Sequence, residues 1–186
     1  MEGIKPVVKK LREIFELGYV PSRRGESYYY KTQSGDLTKD LVNCFGHACF
    51  NLTNEMFDKF DITIEDKYDM QAITGRIDSL SKKQVSLKLL DFVRDIGLMV
   101  ERCPKEAKLK ANQWKIALYF DQITFGKETF LRDFHFMKQE NDNSWTSKIS
   151  FTSRVAVEED LPKQFTNYYR LYDVYKITNP HAKIER

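Results

Sequence analysis

Cysteine is scarce in this chain, and there is no long apolar run, no basic excess and no repeated motif. Its three cysteines are Cys44, Cys49 and Cys103. So sparse and odd a set excludes a disulfide framework and fits a reducing compartment. No stretch reaches the roughly 20 apolar residues that a membrane span needs. The opening Met1-Glu2-Gly3-Ile4-Lys5-Pro6 carries no apolar core of a secretion signal. These absences predict a cytoplasmic protein with no membrane partner. The formal net charge of +3 is too mild to argue for nucleic acid without a clustered basic face. No repeat, low-complexity tract or linker divides the 186 residues, so a single domain with a sizeable core is expected over 1–186.

What the chain does have is aromatic weight, with 13 Phe and 10 Tyr, which favours strands and an aromatic core. Val7, Val8, Leu11, Ile14, Phe15 and Leu17 recur at helical spacing and predict a helix over 6–17, with Pro6 in its first turn and Gly18 past its end. A second helix is expected within 38–60, on the stripe Leu41, Phe45, Ala48, Leu52 and Met56. Thr38, Asp40 and Asn43 can each cap it, so Cys44 is either its first residue or one turn in. Residues 61–80 read as mixed and polar, broken at Gly75. Ser81 caps a third helix over 82–96, which Gly97 ends.

Past Gly97 the pattern becomes strand-like. Strands are expected over 98–102, 113–121, 130–139, 144–149 and 166–177, with Asn141-Asp142-Asn143 as a hairpin turn. Helices followed by strands give an α+β class, with N-terminal helices packed on a C-terminal antiparallel sheet.

Two stretches carry candidate chemistry. Asn43-Cys44-Phe45-Gly46-His47-Ala48 places a thiol at a helix start, where backbone N–H groups and the positive end of the macrodipole favour a thiolate and can hold an oxyanion. Asp133-Phe134-His135-Phe136 places an imidazole in a strand, on the face opposite Phe134 and Phe136 and so free to meet a cleft. A buried apolar cysteine and a surface histidine are the commoner fates of such residues. The two stand 91 positions apart (135 − 44), so spacing alone does not join them.

Together with Trp145-Thr146-Ser147-Lys148, these motifs resemble a divergent papain-like cysteine peptidase or amidase group. The group is similar to the NlpC type and to phage and bacterial members whose second halves read DYHWYRQ…WSHK. The resemblance covers roughly 40–60 and 113–149. It implies a papain-like fold, Cys44 as nucleophile, His135 as general base and a third, orienting group on the return strand. It also makes 61–110 an insertion between the two halves of the site. At the third position this chain has Ser147 where the resembling sequences have histidine. A hydroxyl can accept an imidazole hydrogen bond but cannot stabilise an imidazolium as a carboxylate does. Asp133, Asp142 or Asn143 are the alternatives.

The expected activity is therefore thiol-dependent cleavage of an amide or ester in a protein or peptide substrate, with no cofactor. The alternative is an impaired papain-like scaffold that binds a host protein on behalf of a phage or mobile element. His47, one turn from Cys44, brings no four-ligand zinc spacing with it and reads as a polar helix-edge residue. Cys49 and Cys103 read as core. Tyr28-Tyr29-Tyr30, near Arg23, Arg24 and Lys31, reads as an extended segment with half its rings buried, and the lysines of 105–115 as a solvated loop.

Overall fold

Trp114, Ile116, Leu118 and Phe120 alternate with Lys115, Ala117, Tyr119 and Asp121 along one strand, and every one of these residues is buried. A strand sends successive side chains to opposite faces. Both faces of the sheet are therefore covered at its centre. The computed structural model describes residues 5–21, 43–148 and 155–184, and within them it accounts for both covers.

The helices are α1 (Pro6–Glu16), α2 (Cys44–Cys49), α3 (Asn54–Lys59), α4 (Ile64–Gln71) and α5 (Lys82–Asp95). The strands that follow are β1 (Met99–Arg102), β2 (Gln113–Phe125), β3 (Glu128–Gln139), β4 (Trp145–Lys148), β5 (Val155–Glu158), β6 (Gln164–Phe165) and β7 (Tyr169–Thr178). They form one sheet in the order β1-β7-β2-β3-β4-β5, with β6 pairing β7, and every pairing is antiparallel. The α+β class, with all described helices before all described strands, is as the sequence pattern predicts.

One face carries the main core. Trp114, Ile116, Leu118 and Phe120 of β2, Phe136 of β3 and Tyr175 and Ile177 of β7 meet the apolar sides of α1, α2 and α5 there. Segment 61–110 is built into this core through Met70, Val85, Leu89, Phe92, Val93 and Val100. The other face carries a smaller cluster of Ala117, Tyr119, Met137, Trp145 and Val174, covered by Leu161 and Phe165.

α1 ends at Gly18, whose φ of +89° suits a residue without Cβ. Asn179 Nδ2 then donates to the Phe15 and Tyr19 carbonyls (2.9 and 2.7 Å), tying that helix end to the end of β7. α5 carries the capping box that Ser81 and Gln84 supply.

The single helix expected within 38–60 is broken in two. α2 stops at Phe50, and Asn51 adopts φ +40° while its N–H returns to the Gly46 carbonyl (2.9 Å). Thr53 then caps α3 by accepting from Met56 N–H. An asparagine that tolerates the left-handed region, followed by a threonine cap, outweighs a continuous apolar stripe. Helix α4 arises in the stretch read as mixed and polar, because Thr63 and Asp66 close a capping box there. The last strand, expected over 166–177, starts only at Tyr169, because Thr166 at φ +55° turns the chain there, and the two-residue β6 lies just before it. Thr38, Asp40 and the Tyr28–Tyr30 run with Arg23, Arg24 and Lys31 lie outside the described residues.

Candidate functional site

The Asn43 side chain accepts from Gly46 N–H at 3.0 Å, which fixes Cys44 as the first residue of α2. Phe45 drives α2 onto the sheet. Its ring is fully buried, 5.3 Å from Phe136 and 5.4 Å from Phe50 between ring centres. This packing lays the start of α2 along β3, and the Cys44 thiol reaches the backbone of Phe136. Phe136 is the neighbour of His135. The fold has thus closed the gap between two motifs that lie far apart in the chain.

Their side chains nevertheless diverge. Cys44 belongs to the helix-side core, whereas His135 points to the other face. There the imidazole lies flat against Phe165, 4.9 Å away at an interplanar angle of 9°, with Tyr169 at 5.3 Å. His135 is 6% exposed, and its Nε2 makes no hydrogen bond among the described residues. The cleft that the strand pattern predicts for this face is filled, because β6 folds back over it.

Burial sets the protonation of both groups. It lowers His135 from 6.5 to about 4, so the ring is neutral at pH 7. It raises the Cys44 thiol from 9.0 to about 12, and the nearby Asp133 charge adds to the rise. Hydrogen bonds from the backbones of Phe136, Phe45 and Cys44 itself, which favour a thiolate, only partly offset this. In this conformation Cys44 is a thiol and His135 a neutral imidazole, on opposite faces of the sheet.

Ser147 sits in β4 opposite Ala156, fully buried on the Trp145 face, and its hydroxyl has no hydrogen-bond partner among the described residues. It therefore makes no hydrogen bond to the His135 ring. Asp142 is occupied in its own turn, accepting from the Ser144 N–H (2.9 Å) and hydroxyl (2.6 Å). Asp133 comes nearer: its Oδ2 accepts from the Tyr169 hydroxyl at 2.6 Å, and Tyr169 packs on His135. Tyr169 and Phe165 are the site neighbours that sequence reasoning missed. They lie about 30 residues downstream, in a segment whose only signal is its aromatic content.

His47 also differs from its reading as a helix-edge residue. It is fully buried on the helix side, its Nε2 3.2 Å from Thr146 Oγ1. Thr146 donates to Glu140 (2.6 Å), and Glu140 pairs with the buried Lys138 (3.2 Å). Burial, then the Lys138 and Lys148 charges, hold His47 well below its usual value and hence neutral. This polar network pins α2 to β4 and orders the helix that carries Cys44.

Cys49 is fully buried in the main core, while Cys103 is half-buried beside the smaller one. Among the described residues, no group of three or more His, Cys, Asp or Glu side chains could hold a metal ion. No described helix is long and apolar enough to cross a membrane.

A cavity of about 550 Å³ lies beside Lys105, Lys115 and Trp145, and one of about 710 Å³ between Ile77 and Phe125; neither is lined by Cys44 or His135. The lysine loop is tied down by Lys105 on Asp160 (3.0 Å) and by Lys115 on the Lys105 carbonyl. No family model, curated protein or solved structure matches this chain.

Proposed function

We propose that the protein is a papain-like cysteine hydrolase, described in a closed and non-nucleophilic state. Cys44 is the nucleophile, His135 the base, and the bond cleaved is an amide or ester. One observation supports this: a capped helix start delivers Cys44 to the backbone of the residue beside His135. Such delivery of thiol and base by separate elements is what acyl transfer through a thioester requires. In the reacting form His135 takes the thiol proton, the sulfur attacks the carbonyl carbon, and the imidazolium returns the proton to the leaving group.

The reaction is tested with p-nitrophenyl acetate, following adducts by peptide mass spectrometry. An acetyl group on Cys44 that disappears in His135→Ala is expected. Acetylation of Cys44 undiminished in His135→Ala overturns the assignment.

A second reading has one observation in its favour. The buried Ser147 hydroxyl orients nothing, so no described side chain at the position implied by the resemblance supports the imidazole. On that reading the scaffold is catalytically impaired and binds a protein partner, and Cys44→Ala retains the full biological activity.

A further inference from the structure

We propose that the turn at 164–168, carried by the two-residue strand β6, is a gate over the Cys44–His135 centre, with the Phe165 ring as its latch. The inference rests on the hydrolase reading for what the gate admits, but the gate itself is a matter of geometry.

Among the described residues, the hydrogen bonds and ion pair that hold the strap leading to β6 lie in its first half, and past it Arg132 stacks over the exposed Tyr168 ring at 5.3 Å. Asp160 pairs with Lys105 at 3.0 Å, the Pro162 carbonyl accepts from the Tyr119 hydroxyl at 2.7 Å, and the Lys163 carbonyl accepts from Leu171 N–H at 2.9 Å. Past Lys163 the pairing shrinks to Gln164 with Arg170 and Phe165 with Tyr169. Gln164, Thr166, Asn167 and Tyr168 are exposed, so Phe165 is the one side chain of 164–168 buried against the body of the protein.

Two features of the closed turn are unfavourable. Thr166 holds a left-handed φ of +55° that a β-branched residue resists. The buried Nε2 of His135 has no hydrogen-bond partner among the described residues. Swinging Phe165 away relieves both, at the expense of its apolar contact and a short ladder. A segment held by so few buried contacts belongs to the low-stability end of a fold and opens without global unfolding.

Opening would uncover the imidazole face and the Tyr169–Asp133 pair together. The titratable groups on the His135 face are then Asp133 on its own strand, Tyr169 on β7 and Tyr119 opposite it on β2, while Cys44 lies across the sheet on the helix side. Water at Nε2 removes the burial that keeps His135 from accepting the thiol proton. Closure by Phe165 thus keeps the imidazole away from water until an occupant displaces the ring.

The chain's own histidines provide the controls. His181 is exposed, His47 is fully buried in the helix-side network, and His135 lies under the latch. Diethylpyrocarbonate modification is mapped on each of the three in the full chain. In the wild-type protein His181 reacts fast, His135 slowly and His47 slowest. Phe165→Ala is expected to speed His135 by ~10-fold or more while His47 and His181 keep their rates. Phe165→Leu, which keeps apolar cover without the flat stack, is expected to fall between.

If His135 stays slow in Phe165→Ala, or rises only in step with His47 in both variants, the latch is overturned. Acylation of Cys44 is read separately in the same samples. A selective rise at His135 with no His135-dependent acylation keeps the gate and removes the hydrolase reading.

Discussion

The closed state makes a quantitative demand on Cys44. A thiol alkylates through its thiolate, so the reaction rate follows the ionised fraction. With the thiol raised to about 12 by burial, only ~3 in 100,000 molecules are ionised at pH 7.5, against ~3 in 100 at the ordinary value of 9.0. Wild-type Cys44 should therefore react with iodoacetamide about a thousandfold more slowly than the same cysteine in an unfolded peptide spanning residues 40–48. Its 8% exposure slows it further.

The assay is time-resolved labelling at pH 7.5 with peptide mapping, and Cys103, half-buried and less strongly raised, is the internal fast reference. The order Cys103 first, with Cys44 and Cys49 far behind, is expected. Raising the pH to 9.5 should speed Cys44 about tenfold per unit, since it remains below its midpoint. If Cys44 labels at or above the peptide rate at pH 7.5, a thiolate is already formed. The account of a thiol held idle by burial is then wrong.

Stability should depend on pH at both ends. His135, lowered from 6.5 to about 4, binds fewer protons folded than unfolded, so its contribution is present above pH 6.5 and is lost as pH falls toward 4, by roughly 3 kcal/mol from this group. Cys44, raised from 9.0 to about 12, has the opposite sign, and its contribution fades as pH rises above 9. Urea titrations at pH 4.5, 7 and 10 should show a maximum at pH 7, and equal stability at pH 4.5 and 7 would exclude the buried-histidine account. Phe45→Ala removes a fully buried ring packed on Phe50, Phe92 and Phe136 and should cost ~3–5 kcal/mol by the same titration. Asn51→Ala should cost about 1 kcal/mol more than Asn51→Gly, because both lose the side chain and only the left-handed φ separates them; equal losses would place the cause elsewhere.

The sequence by itself determined the class of fold. Helix α5 was legible from Ser81 to Gly97 because its capping box and apolar stripe are local, and β2 because its alternation is local. The Asn43 cap was one of three that the sequence allowed, and it placed Cys44 at a helix start. The break at Asn51 was missed because one apolar stripe runs through both halves, and the reversal depends on backbone conformation. Helix α4 was missed because its capping box lies in a polar stretch. The Tyr28–Tyr30 reading falls on residues outside the described structure.

The state of the site was decided only in three dimensions. Alternation along β3 correctly put His135 opposite Phe134 and Phe136, but it could not show that Phe165, 30 positions on (165 − 135), lies across the ring. Nor could it show that the Phe45 contacts draw Cys44 into the core. Whether a thiol is a nucleophile depends on its solvent, and that solvent consists of side chains brought from distant parts of the chain. Residue order supplied the thiol and the imidazole. Tertiary packing set how far each is from water, and with that the charge each carries.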